Sequence, residues 1–184
     1  KAIGHYAAVE PMYRQVLAFW RARGGTTPAE VALTMHNLAE LYVRLGRYRE
    51  AEPLYTQALE VTRATLGSTH PQYARSIHNL AALYEAMGRY DAAEPLYQQA
   101  IELLQAIFSA HHPEVARALN NLAVLSKTKG DYTRAETLYR QASAIWRQTV
   151  GEEHPQFAVS LNNLGDLYYA QGKFTDAAPL YQQA

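Results

Sequence analysis

Residues 160–184 read Ser-Leu-Asn-Asn-Leu-Gly-Asp-Leu-Tyr-Tyr-Ala-Gln-Gly-Lys-Phe-Thr-Asp-Ala-Ala-Pro-Leu-Tyr-Gln-Gln-Ala. The same order of residue types returns at intervals of 42 residues, as Asn37, Asn79, Asn121 and Asn163 mark. Self-similarity at a fixed period is typical of a solenoid, in which each repeat buries its apolar face against its neighbours. The stretch therefore predicts a stack of repeats.

The composition fits a packed array and argues against several classes of protein. Apolar residues make up 48% of the chain, enough for a continuous core. The 17 Lys and Arg residues balance 17 Asp and Glu residues, so the chain lacks the basic excess of a nucleic-acid or acidic-membrane binder. It has no cysteine, which excludes disulfides and thiolate metal sites. No apolar run of about 20 residues and no signal-peptide pattern is visible, so we expect a cytoplasmic protein, while the lack of cysteine suits a periplasm or the cell exterior equally. We expect no cofactor.

Each repeat is predicted to hold two helices. The first, represented by residues 113–129, carries apolar residues at spacings of three and four, which form one helical stripe. A glycine that can close the helix in the left-handed conformation follows each first helix. These glycines are Gly46, Gly88, Gly130 and Gly172. The second helix is then predicted over about residues 132–149.

The period divides residues 1–184 into one all-α solenoid of successive repeats. Residues 1–25 match the second helix of a partial repeat, and residues 152–184 match an incomplete fourth repeat. The full repeats are 26–67, 68–109 and 110–151. Because both ends cut through a repeat and an array needs polar capping repeats, we expect these residues to belong to a longer protein.

The repeat resembles the tetratricopeptide repeat, a pair of antiparallel helices with small and aromatic residues at fixed places. The residues that match in register are Leu164, Gly165, Tyr168, Gly172, Phe174, Ala177, Tyr181 and Ala184. The 42-residue period and the Asn-Asn-Leu and His-Pro signatures are similar to those of the longer subclass of this repeat, which is found in kinesin light chains. This subclass is also common in bacterial tetratricopeptide proteins. The resemblance implies a right-handed superhelix whose concave groove, lined by first helices, binds a peptide or protein, without catalytic activity.

A helical projection predicts which residues of the first helices face that groove. Opposite the buried stripe lie four asparagines, one per repeat: Asn37, Asn79, Asn121 and Asn163. A carboxamide offers donors and an acceptor, so a ladder of them suits the backbone of an extended peptide. In kinesin light chains, which the chain resembles, the matching asparagines contact the cargo backbone. The alternative is that the asparagines tie neighbouring helices together or are inherited repeat residues.

Charged and polar residues flank the predicted ladder. The flanking candidates for groove contacts are His78, Asn120, Asn162, Lys127, Asp166, Arg75 and Arg117. Arg75, Arg117 and Lys127 form a predicted basic centre suited to an acidic side chain or a terminal carboxylate, because guanidinium offers a fork of donors. The alternative is that Arg75 pairs with Glu40 or Glu85.

Motifs of enzymes and metal sites give little support to other functions. Four histidines before helix starts, His70, His111, His112 and His154, lie on successive turns one repeat apart, so they are predicted to shape the turn rather than share a metal ion. No nucleophile elbow or phosphate loop is present. Trp20 and Trp146 hold equivalent places, where packing is favoured over ligand stacking.

A structural role is the alternative to peptide binding. The N-terminal helix of the chain carries a row of apolar residues that predicts an exposed hydrophobic surface prone to association. The row is made of Tyr13, Val16, Leu17, Phe19 and Trp20. Through such a surface the array could self-associate end to end, or space and regulate an attached effector domain. Concentration-dependent association would separate this reading from peptide binding.

Overall fold

The computed structural model describes the backbone of residues 2–23 and 28–184 and the side chains of residues 9–19 and 28–184. The regular structure in these residues is helical throughout, which confirms the all-α prediction. The helices are α1 (Ala2–Arg23), α2 (Pro28–Arg44), α3 (Tyr48–Leu66), α4 (Pro71–Ala86), α5 (Tyr90–Phe108), α6 (Pro113–Thr128), α7 (Tyr132–Val150), α8 (Pro155–Ala170) and α9 (Phe174–Gln183). The first and second helices predicted at 113–129 and 132–149 are α6 and α7.

The chain divides into two compact units, and the boundary falls within α5. The first unit is Lys1–Leu96, where α1 packs on α2, α2 on α3 and α3 on α4. Its core combines small residues, such as Ala39 and Ala51, with larger ones, such as Tyr55 and Leu83. The small side chains let the helices approach closely, and the larger ones fill the remaining space.

The second unit is Tyr97–Ala184, where α6 packs on α7, α7 on α8 and α8 on α9. Tyr139 and Leu167 are fully buried in its core beside Ala123 and Ala135. Trp146 is also buried, as predicted. The side chain of Trp20 lies outside the described residues.

The turns contain glycines at the predicted helix ends. The glycine after each first helix has a positive φ, from 71° at Gly46 to 84° at Gly130, a conformation that only glycine adopts without steric cost. A second positive-φ position follows the longer second helices, where Gly67 and Gly151 both have φ 86°. The equivalent residue after α5 is Ser109, with φ 118°. Serine at that backbone conformation is strained.

Histidines cap three of the first helices. The Nδ1 atoms of His70, His112 and His154 accept hydrogen bonds from the backbone N–H two residues later, at 3.1, 3.2 and 3.2 Å. A proline follows each histidine as the first helical residue, where its missing N–H costs nothing. The prediction that these three histidines shape the turns is confirmed.

Candidate functional site

The asparagine predicted to face the groove occupies the same place on each first helix. Asn37 lies on α2, Asn79 on α4, Asn121 on α6 and Asn163 on α8, and all four side chains are half-buried. Half-burial places each carboxamide at the border between the helix packing and the solvent. We call these four residues the asparagine face; Asn37 and Asn79 belong to the first unit, and Asn121 and Asn163 to the second.

In the first unit, the carboxamide of Asn79 joins α4 to α2. Its Nδ2 lies 2.7 Å from Nε2 of His36, and the hydrogen bond is partly buried. The imidazole of His36 packs edge to face against Tyr55 of α3, with 5.2 Å between ring centroids. Burial, followed by the nearby charge of Arg75, lowers the pKa of His36, although Glu40 opposes the shift. A neutral imidazole can accept the Asn79 hydrogen bond.

In the second unit, the corresponding bond joins two amides. The Nδ2 of Asn163 on α8 donates to Oδ1 of Asn120 on α6 over 2.8 Å. The two bonds have the same sequence separation of 43 residues, so they occupy one register of the repeat. For Asn79 and Asn163 the alternative considered from sequence, a tie between neighbouring helices, is therefore observed. The Oδ1 atoms of these two asparagines accept no hydrogen bond from the described residues.

Asn37 lies beside a surface cavity of about 270 Å³ in the first unit. Val9 and Tyr13 of α1 line this cavity together with Glu40 and Arg44 of α2. Glu40 accepts a hydrogen bond from Arg44 at 2.7 Å, so its charge is balanced within α2. The cavity therefore offers a polar, charge-balanced wall next to the Asn37 amide.

The predicted cations differ in how they are held. Arg75 of the first unit is exposed and forms no ion pair within the described parts of the chain, so neither Glu40 nor Glu85 neutralises it. Arg117 of the second unit is half-buried and donates to Glu114 of its own helix at 2.6 Å. The guanidinium of Arg75 is thus available to a ligand, whereas that of Arg117 already has a carboxylate partner.

The remaining flanking residues divide into accessible and buried ones. Asn162 is exposed, and Lys127 is half-buried. Asp166 is exposed and accepts a hydrogen bond from the Tyr181 hydroxyl at 2.8 Å. His78 is only 1% exposed, so the prediction that it lies on the groove face is wrong. The projection placed it at the flank of the face, but its side chain is buried in the folded chain.

Sequence reasoning missed a second contact that recurs between repeats. The Tyr42 hydroxyl donates to Glu10 at 3.0 Å, and the Tyr168 hydroxyl donates to Glu136 at 2.7 Å. The hydrogen bond from Tyr168, followed by that from Arg140, holds the pKa of Glu136 below its usual range. The signal available in the sequence was a glutamate that recurs at this place, at Glu10, Glu52, Glu94 and Glu136. These contacts join side chains of neighbouring helices and stabilise their stacking.

A departure from the repeat at Ser126 has a local explanation. Ser126 stands where Tyr42, Tyr84 and Tyr168 stand in the other repeats. Its hydroxyl donates to the Leu122 carbonyl of the same helix at 2.8 Å. The serine is therefore satisfied within α6 and needs no partner from another repeat.

No group of three His, Cys, Asp or Glu side chains within residues 9–19 and 28–184 is placed to hold a metal ion. Likewise, no helix in the described part of the chain is both long and apolar enough to cross a bilayer.

Several solved structures share this fold. BtubC (BKLC) from P. vanneervenii is 27% identical over 99% of this chain and 72% of its own, with a TM-score of 0.86. A putative kinesin light chain from Podosopora anserina with TPR-like repeats is 27% identical over 99% of this chain and 86% of its own, with a TM-score of 0.80. The Rap conjugation gene regulator of plasmid pLS20, solved with the Phr* peptide, is 14% identical over 98% of this chain and 48% of its own, with a TM-score of 0.78.

A family profile matches the sequence of the chain directly. No curated protein matches the chain. The profile of the tetratricopeptide repeat matches three overlapping segments, residues 30–106, 77–144 and 114–184. These segments cover most of the chain and contain every asparagine of the asparagine face. The chain therefore belongs to the tetratricopeptide repeat family and is similar to the kinesin light chains within it.

Proposed function

We propose that this chain is a protein-interaction module that binds an extended peptide segment through the asparagines of the asparagine face, considered within each unit. The observation that carries the proposal is the arrangement of Asn79 and Asn163. Each turns its Nδ2 toward a side chain of a neighbouring first helix and leaves Oδ1 without a partner among the described residues. An anchored carboxamide loses little freedom when it binds a ligand, which lowers the entropic cost of association.

Apolar side chains next to the asparagines support a peptide ligand. Leu33 of α2 and Val159 of α8 stand one turn before Asn37 and Asn163, and they are 48% and 47% exposed. In an extended peptide, side chains alternate in direction while the backbone polar groups stay accessible. Leu33 and Val159 can contact apolar side chains of the ligand while the asparagines bind its backbone.

The charged residues beside the asparagine face also determine where an acidic group of the ligand can bind. Arg75 offers a guanidinium next to Asn79 in the first unit, whereas Arg117 is neutralised by Glu114 in the second. An acidic group of the ligand would therefore be bound at Arg75 rather than at Arg117. Further support comes from the Rap protein of the same fold, because it was solved with a peptide bound.

Binding of selected peptides tests the proposal. Linear peptides chosen from a random library against the purified chain provide the probe, and calorimetry gives their affinities for the parent, Asn79→Ala and Asn163→Ala. Each variant is expected to bind about five-fold more weakly or worse, because an amide contact is lost. Gln141→Ala, which removes an exposed amide from the second helix α7, is the matched control and should bind like the parent. Parent-like affinity of both asparagine variants overturns the proposal.

Self-association is a second candidate function, and one observation favours it. Met12, Val16 and Phe19 lie on one stripe of α1 and are 63%, 38% and 46% exposed. Leu17, which was predicted to join this surface, is buried at 5% exposure, so that part of the prediction is wrong. Light scattering at rising concentration tests the idea with Val16→Asp, which should lower the apparent mass. A parent chain that stays monomeric throughout contradicts it.

A further inference from the structure

Two hydrogen bonds in the same register hold asparagines of the asparagine face. Asn79 Nδ2 is 2.7 Å from His36 Nε2 in the first unit, and Asn163 Nδ2 is 2.8 Å from Asn120 Oδ1 in the second. In each case the partner belongs to the preceding first helix and directly precedes that helix's own asparagine in the sequence. The partner residue therefore occupies the same position in both repeats.

The identity of the partner decides which edge of the carboxamide faces a ligand. A carboxamide has two donor hydrogens on Nδ2 and an acceptor oxygen. When Nδ2 donates to the preceding helix, Oδ1 and one remaining N–H are left for the ligand. Among the described residues, nothing donates to Oδ1 of Asn79 or Asn163. That pair of groups matches one N–H and one C=O of a peptide backbone.

We infer that His36 and Asn120 are positioning residues, which hold the amides of Asn79 and Asn163 with Oδ1 toward the ligand. The inference rests on the proposed function. The residue before an asparagine in one repeat therefore orients the carboxamide of the asparagine in the next repeat. The sequence pattern alone did not distinguish this role from helix packing. The ligand class that follows is an extended segment whose backbone N–H groups are accessible, so a segment with N-methylated backbone nitrogens should not be accepted.

The two positioning residues differ in one chemical respect, because His36 titrates and Asn120 does not. A protonated imidazole donates from both nitrogens, so it can bind Asn79 only through Oδ1. The carboxamide must then turn over, and the acceptor that faces the ligand is lost. The groups that face His36 are Glu40 on its own helix, Arg75 on α4 and the Tyr55 ring on α3. Glu40 is bound by Arg44, so it offers His36 little compensation.

The first test needs no ligand. Nitrogen-15 NMR of the imidazole in the intact chain reports which ring nitrogen of neutral His36 carries the proton. We expect the proton on Nδ1, which is buried without a hydrogen-bond partner among the described residues, and Nε2 bare as the acceptor of the Asn79 hydrogen bond. A proton on Nε2 would mean that Oδ1 of Asn79 faces inward, and the inference would be overturned whether or not a peptide binds.

The second test uses the library-selected peptide described above. His36→Ala should bind it about three- to ten-fold more weakly, because the amide of Asn79 loses its anchor. His36→Asn gives position 36 the same residue type as Asn120 and should restore the affinity. The parent is expected to bind more weakly at acidic pH, and His36→Asn should not. His70→Asn, at a helix cap away from the asparagine face, is the control and should keep the parent's pH profile. Parent-like binding by His36→Ala, together with weak binding by Asn79→Ala, would overturn the positioning role and leave the proposed function intact.

Discussion

The side-chain amide of Asn163 donates to the side-chain carbonyl of Asn120 over 2.8 Å and thereby ties α8 to α6. Replacing Asn120 by alanine leaves the half-buried Nδ2 of Asn163 without this acceptor. We expect Asn120→Ala to lower the free energy of unfolding by about 1–2 kcal/mol, measured by urea denaturation. Asn162→Ala, at an exposed neighbouring position, should change it by less than about 0.5 kcal/mol. Equal effects of the two substitutions would contradict the role of the bond.

The pH dependence of stability tests the state of His36. Burial, followed by the charge of Arg75, lowers the pKa of His36 in the folded chain. Below its ordinary pKa of about 6.5 the unfolded chain therefore binds more protons than the folded chain, and stability falls as the pH falls. His36→Asn should lose less stability than the parent between about pH 7.5 and about pH 5 in denaturant titrations. Identical slopes for both proteins would show that His36 is not shielded from protons.

Backbone strain at Ser109 provides an opportunity for stabilisation. Its φ of 118° lies in a region that favours glycine, and the equivalent residues Gly67 and Gly151 have φ 86°. We expect Ser109→Gly to raise the free energy of unfolding by about 1 kcal/mol, the relief of strain less the entropic cost of glycine. Ser68→Gly, at an exposed neighbouring turn, is the control. A destabilised Ser109→Gly variant would show that the residue is not strained.

Gly165 stands where the other repeats have Ala39, Ala81 and Ala123, and a close contact explains the difference. A Cβ at position 165 would lie 2.8 Å from Cε1 of Tyr181. In a Tyr181→Ala background, Gly165→Ala should stabilise the chain by about 1 kcal/mol, because alanine is the better helix former. In the parent the gain should be smaller, since the Tyr181 ring must move and its hydrogen bond to Asp166 is disturbed. Equal gains in the two backgrounds, measured by thermal unfolding, would exclude the clash.

Much of the fold could be predicted from the sequence because the period repeats local signals. The glycines at 46 and 130 predicted the helix ends, and the proline after His154 predicted a helix start, because each fixes backbone geometry locally. The burial of His78 was not predictable in this way. A helical projection gives the direction of a side chain but not how far a neighbouring helix extends over it.

The asparagine face was only partly predictable for the same reason. The projection placed Asn79 and Asn163 at the border of the packing, where the side chains are half-buried. It could not decide between a ligand contact and a tie between helices, because that choice depends on atoms 43 residues away. The pairing of Arg117 with Glu114 was also open, since a neighbouring carboxylate three residues away does not determine the rotamer.

Side-chain amide NMR of the complex tests whether the peptide binds at the asparagine face. The carboxamide resonances of Asn79 and Asn163, assigned with their alanine variants, are followed while the library-selected peptide is added to the intact chain. Both pairs of signals are expected to shift and saturate with the peptide, while the amide signals of Gln141 on α7 should not move. Shifts confined to Gln141 and other second-helix amides, with Asn79 and Asn163 unchanged at saturation, would contradict it.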